Sequence, residues 1–192
     1  MKLYLHMREP AVTSLGPGSR YGIWVAGCHR SCPGCIAPDS HDMTKGEPMD
    51  TGALAWKIIL SDAEGITISG GEPFLQAEAL GELLRIVRCK RDLGVIVYTG
   101  FLLEELETVP HAKALLEQTD LLIDGPYVRE LDDGKSLRGS SNQRIIPLTP
   151  RYAHCLHLYG SDGRQTEIFH HGGGTHYVGI PTSSTYTKEE TS

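Results

Sequence analysis

Short β-branched apolar runs recur along this chain, and helical stretches separate them. Residues 21–25, 65–68, 94–98 and 120–123 read as buried strands, followed by weaker runs at 144–146 and 156–159. Most close on Gly, Ser or Pro, as buried parallel strands do. Between the second and third runs, Leu75, Ala79, Leu80, Leu83, Leu84 and Val87 fall at helical spacing. Glu78, Glu82, Arg85 and Arg88 lie mostly opposite them, and Pro73 suits the first turn. Residues 51–60 and 110–118 are two further helix candidates. Strand, helix and strand in repetition is the α/β pattern. A closed eight-fold barrel takes about 250 residues, so a shorter chain has room for roughly five or six βα units. The expected fold is therefore α/β: a partial, open TIM-type barrel of parallel strands, or failing that a doubly wound sheet. One domain is expected over 1–192, with a core at about 16–160 and a C-terminal extension at 161–192. That extension should hold a hairpin or strand near 167–169 and a frayed end.

Composition removes several classes of function. Hydrophobic residues at 40% and charged residues at 22% describe a globular chain. No run approaches the ~20 apolar residues of a membrane span, and Arg8 and Glu9 come too early for a signal peptide, so no membrane association is expected. With 18 Lys plus Arg against 24 Asp plus Glu, the net charge of -6 argues against nucleic acid as a partner. Five cysteines, an odd number, suit a metal site in a reducing cytoplasm better than a disulfide framework.

Three of those cysteines, Cys28, Cys32 and Cys35, follow the first strand run, with Pro33 and Gly34 between the last two. Pro and Gly disfavour a regular helix and favour a loop that wraps around a bound group. Three thiolates on a cubane of four irons would leave one iron open to a small molecule. Structural zinc is the competing reading; it needs a fourth ligand, for which His29, His41 and Cys89 are candidates. An inert thiol cluster is the third.

Other polar residues gather at strand ends. Ser69-Gly70-Gly71-Glu72-Pro73 closes the second run and opens the best helix. Glycines there let backbone approach a ligand, and Glu72 can meet an amine, although the same residues also make an ordinary helix start. Tyr98-Thr99-Gly100-Phe101 and Asp124-Gly125-Pro126-Tyr127 end the third and fourth runs. Arg138-Gly139-Ser140-Ser141-Asn142-Gln143-Arg144 leads into the fifth.

The triplet Cys28-x3-Cys32-x2-Cys35 resembles the signature of the radical S-adenosylmethionine (SAM) superfamily. The lead-in Gly16-Pro17-Gly18-Ser19-Arg20 and the later strand-end segments are similar to the glycyl radical enzyme activases, in particular the anaerobic (class III) ribonucleotide reductase activating group. The resemblance implies a [4Fe-4S] cluster on Cys28, Cys32 and Cys35. It also implies SAM held by Gly70, Gly71 and Glu72, with Thr99, Asp124 and Asn142 as further cofactor contacts. The implied activity is reductive cleavage of SAM to a 5′-deoxyadenosyl radical that takes a hydrogen atom from a glycine of a large partner enzyme. Reduced flavodoxin or ferredoxin is the implied electron donor. Ile36-Ala37-Pro38 departs from the group, which usually carries an aromatic and an Asn there. A radical SAM modifier of a peptide or small molecule, and a non-catalytic zinc or iron–sulfur protein, are the alternatives. Cys89, Cys155, His154, His157 and the run His170-His171-Gly172-Gly173-Gly174-Thr175-His176 are read as structural.

Overall fold

The computed structural model describes residues 1–135, 137–157, 163–171 and 174–181. Its centre is a seven-stranded sheet. Strand β1 (Lys2–Val12) runs antiparallel to both β2 (Arg20–Val25) and β3 (Glu47–Asp50). From β2 the sheet continues in parallel through β4 (Gly65–Gly70), β5 (Gly94–Tyr98) and β6 (Leu121–Asp124), and β7 (Arg144–Pro147) closes it antiparallel. The spatial order is β3-β1-β2-β4-β5-β6-β7. Helices α1 (Thr51–Ile59), α2 (Ala77–Arg88) and α3 (Ala112–Leu116) supply the crossovers.

Alternation along the strands sorts the core into two faces. Ile23, Val25, Ile66, Ile68, Val95, Val97 and Leu122 pack against Leu54, Ile58, Leu80, Leu83, Leu84 and Leu115 of the helices. The residues between them point the other way. Ile96, Leu121 and Ile123 meet Tyr152 and Cys155, while Val12 and Leu15 meet Val178 and Ile180. Val178 belongs to a separate hairpin of β8 (Thr166–His171) and β9 (Gly174–Gly179), and Ile180 follows directly after it. Burial on both faces explains why the central strands carry near-continuous apolar runs.

On that second face Arg20 is 1% exposed. Its guanidinium donates to Thr67 Oγ1 and to the carbonyls of Pro17, Ile66 and Gly94, and lies over the Tyr152 ring. One side chain thereby ties together the starts of three parallel strands.

The sheet corrects the expectation of five or six parallel strands. Four are parallel. The 144–146 run forms β7, which turns back because the described residues of 125–143 form no crossover helix, only a short 3-10 turn at Arg129–Leu131. Of the 156–159 run, Leu156 and His157 lie in a helical turn, and 158–159 fall outside the described residues, as does the frayed end from 182. Strands β1 and β3 were not anticipated, and the helix predicted at 110–118 is shorter, at Ala112–Leu116. Among the described residues no helix is long and apolar enough to cross a membrane.

Two outcomes test this packing. Arg20→Met should lower unfolding free energy by about 2–3 kcal/mol in urea titration, because buried acceptors lose their donors. The second concerns Glu167, which accepts from the N–H of Thr13 and Ser14 and from Thr13 Oγ1. Burial pushes its carboxyl up, but these donors outweigh that and hold it below the ordinary carboxylate value. A depressed folded value stabilises docking above the unfolded pKa of ~4.3, and the contribution is lost as pH falls through the folded value. Amide exchange across β8 and β9 should therefore accelerate selectively as the solution is acidified below about pH 4.

Candidate metal and cofactor site

The cysteine loop begins where β2 runs out. Gly27, at φ +98°, turns the chain, and the Gly27 and Cys28 N–H groups donate to the carbonyls of Ser40 and His41 at 2.7 and 3.0 Å. Cys35 N–H donates to Cys32 O at 3.1 Å, a tight turn made possible by Gly34 at φ +72°. Ser31, at φ +47°, also holds the left-handed conformation, unusual for a residue with a side chain. The loop is thus wound back on itself, with all three thiols partly exposed. Burial is the main influence pushing the Cys28 and Cys35 thiols up.

Directly beneath it, β4 ends in the two glycines. A Cβ at Gly71 would stand 2.3 Å from the Gly27 carbonyl oxygen, and one at Gly70 would stand 2.4 Å from the Val25 nitrogen. Two backbone hydrogen bonds close this contact: Gly71 N–H to Val25 O and Glu72 N–H to Gly27 O, both 2.8 Å. The glycines therefore permit a backbone-to-backbone approach: a side chain at Gly71 would run into the start of the cysteine loop, and one at Gly70 into the end of β2.

Glu72 is 1% exposed. Its Oε1 accepts from Phe74 N–H at 3.0 Å, capping the 3-10 turn Pro73–Gln76, and from Thr99 Oγ1 at 2.8 Å. Its Oε2 accepts from Gly100 N–H at 2.8 Å. Burial dominates and pushes the carboxyl up, although those three donors and Arg30 pull it down. Helix start and site carboxylate are the same residue.

These groups share one cavity of about 150 Å³, partly open to solvent. Cys28, Cys32, Cys35, Gly70, Gly71, Glu72 and Thr99 all line it. Asp124 and Asn142 stand behind the lining. Asp124 is fully buried, accepts from Leu103 N–H at 2.7 Å and pairs with Arg144. Asn142 Nδ2 donates to Pro126 O at 2.8 Å, leaving its Oδ1 buried without a partner among the described residues. Their neighbours Gly125 and Gln143 reach the cavity, and Gln143 ties the two loops by donating to Gly125 O and accepting from Gly139 N–H.

Sequence reading overlooked several lining residues. Arg30 sits inside the cysteine loop with its guanidinium 4.3 Å from the Phe101 ring centroid and an ion pair to Glu105. Trp24, Tyr98 and Tyr127 contribute aromatic surface. Tyr98 was visible only as a strand end; its inward direction follows from alternation against Val97. Of the candidates for a fourth metal ligand, His41 alone lines the cavity, with Nε2 3.3 Å from Cys35 Sγ. Cys89 is exposed at the end of α2, and Cys155 is buried against Tyr152 O.

The donor set fits an iron–sulfur group. Three soft thiols on one loop face the cavity that Gly70, Gly71, Glu72 and Thr99 also line, and bound metal would deprotonate them. Among the described residues, no three His, Cys, Asp or Glu side chains converge on a point where a single ion would sit.

A family model described as "4Fe-4S single cluster domain" matches residues 14–146, which include all three loop cysteines. The anaerobic ribonucleoside-triphosphate reductase-activating protein of Escherichia coli (strain K12) is 33% identical over 151 residues, covering 73% of this chain and 96% of that protein. Its namesake in Vibrio cholerae serotype O1 is 33% identical over 154 residues, covering 75% and 97% respectively. The protein of that name in Enterobacteria phage T4 is 30% identical over 136 residues, covering 68% and 85%. The chain belongs to the 4Fe-4S single cluster family of anaerobic ribonucleoside-triphosphate reductase-activating proteins.

Proposed function

We propose that this chain is a radical SAM activating enzyme acting on a glycyl radical partner of the anaerobic ribonucleotide reductase type. One observation carries the reading: three loop thiols, the Gly-Gly-Glu end of β4 and the carboxyl end of β5 converge on one cavity. That is the rim at which α/β sheets bind ligands. The names of the relatives supply the partner class. On this reading the sheet is an open, partial relative of the TIM barrel, the chain is one radical SAM domain, and it works in the cytoplasm with reduced flavodoxin or ferredoxin as donor and without nucleic acid.

When bound, the cluster and SAM together supply reductive cleavage of the sulfonium and the oxidising equivalent that removes a hydrogen atom from the partner's glycine. The protein's residues bind, orient and exclude water. Cys28, Cys32 and Cys35 hold three irons. Glu72, kept rigid by Phe74 N–H, Thr99 Oγ1 and Gly100 N–H, offers its remaining acceptor capacity to the amino group of SAM. Gly70 and Gly71 set the height of that carboxylate relative to the cysteine loop. Asp124 and Asn142 act at one remove, fixing the loops that carry Gly125 and Gln143. Arg30 offers a cation beside Glu72 for a carboxylate.

His41 beside Cys35 favours one second reading, a zinc site with three thiolates and an imidazole. Metal analysis separates the two. An anaerobically reconstituted sample should be brown, hold four irons, and convert SAM to 5′-deoxyadenosine when reduced; with the partner it should give a glycyl doublet in electron paramagnetic resonance. Cys32→Ala should abolish both colour and turnover. A colourless zinc protein without turnover would remove the activase reading. Glu72→Gln should keep the cluster spectrum but weaken SAM binding by about 10–100-fold, the size of a lost charge-assisted hydrogen bond. Unchanged affinity by calorimetry would take Glu72 out of the SAM site.

A further inference from the structure

The segment at 163–181 lies beyond the family match, which ends at 146. The E. coli relative is 96% covered by a match spanning only 73% of this chain, which leaves it little length for a counterpart. Yet the segment is tied to the body of the protein at both ends. Arg164 has a side chain 1% exposed and all three guanidinium nitrogens engaged. Nε donates to Arg138 O, Nη1 to Pro181 O, and Nη2 to Gly139 O at 2.6 Å while pairing with Asp132 at 2.8 Å. Glu167 fixes the other end to Thr13 and Ser14. Gly179, at φ +113°, packs against the body of the protein as well, where a Cβ would stand 3.2 Å from Ser14 Oγ.

The docked face reaches the cofactor cavity. Gly179 and Ile180 line it, and Ile180 packs in one apolar cluster with Leu15, Trp24 and Tyr98, which line it too. Gly139, held by Arg164, lines it as well. The hairpin's outward side is different in kind: Ile168, paired across the strands with Tyr177, is 55% exposed.

We propose that residues 163–171 and 174–181 are a fixed wall of the SAM cavity, with Ile180 as the apolar contact that positions the bound nucleotide and the hairpin strands as the shield that keeps water and oxygen from the cluster along the sheet. The inference rests on the SAM reading above. Without this segment the second face of the sheet would open the cavity to solvent beside Trp24 and Tyr98. With it, ligands enter past the strand-carboxyl rim. Ile180 is a positioning residue and takes no part in the chemistry.

The test uses the full chain, reconstituted anaerobically, with SAM affinity measured by calorimetry and cluster loss in air followed by its visible absorbance. Ile180→Trp should retain the cluster spectrum, lower the melting temperature by the few degrees that overpacking a buried site costs, and weaken SAM binding at least tenfold. Ile168→Trp, on the outward side of the same strand pair, should bind as the unmodified chain does. Glu167→Ala, which releases the hairpin without touching the cavity, should bleach several-fold faster in air. Equal affinity for Ile180→Trp together with equal bleaching for Glu167→Ala would overturn the wall while leaving the SAM reading intact. Should Ile180→Trp fail to fold, the bleaching rate of Glu167→Ala decides alone. Failure of the unmodified protein to bind SAM would remove both.

Discussion

A side-chain carbon at position 71 would stand 2.3 Å from the carbonyl oxygen of Gly27, and the geometry of the site follows from that exclusion. The end of β4 lies against the start of the cysteine loop with no side chain between them. Peptide hydrogen bonds from Gly71 and Glu72 then lock the two segments together. Loop and carboxylate are consequently one rigid unit. Any substitution that widened the gap would move Glu72 away from Thr99 and Gly100, and two buried acceptors would lose their donors. The arrangement is fixed before any ligand arrives, which is the condition under which binding energy goes into orientation and little is lost to ordering.

The second determinant is the use of both sheet faces. Helices cover one face with aliphatic contacts that hold the strands in register. The other face is shared between Arg20, the turn at 150–155, the C-terminal hairpin and the cavity itself. A partial sheet is thereby kept from exposing its unused apolar surface, and the cavity is confined to the carboxyl rim. The polar residues that the strand ends carry are concentrated there because elsewhere the face is filled.

Much of this was legible in the residues. The central parallel strands and α1 and α2 follow from β-branched runs and helical periodicity, and the Cys, Gly-Gly-Glu and Thr-Gly segments fall on one rim as strand ends should. Strand β1 was missed although Leu3 and Leu5 alternate with exposed Lys2, Tyr4 and His6, because charge and Pro10 mask a period-two signal. The direction of β7 depends on what 125–143 fails to form, which a strand-like run at 144–146 does not encode. Asp124 and Asn142 look like ligands by their place at strand ends; only tertiary contacts with Arg144, Leu103 and Pro126 reveal that they brace the loops behind the lining. The inward aim of Trp24, Tyr98 and Ile180 likewise depends on which face the sheet turns to the cavity.

The reversed strand at the far edge has a consequence for how this architecture can grow. Parallel barrels lengthen by accreting repeated units at an open edge, and here Arg144, clasped by Asp124 and Glu104, occupies that edge in the opposite direction. A descendant adding modules after β6 would first have to evict the pair that seals it. An element appended after β7 meets no such barrier, and in this chain the described C-terminal hairpin folds back over the sheet face instead of extending its edge.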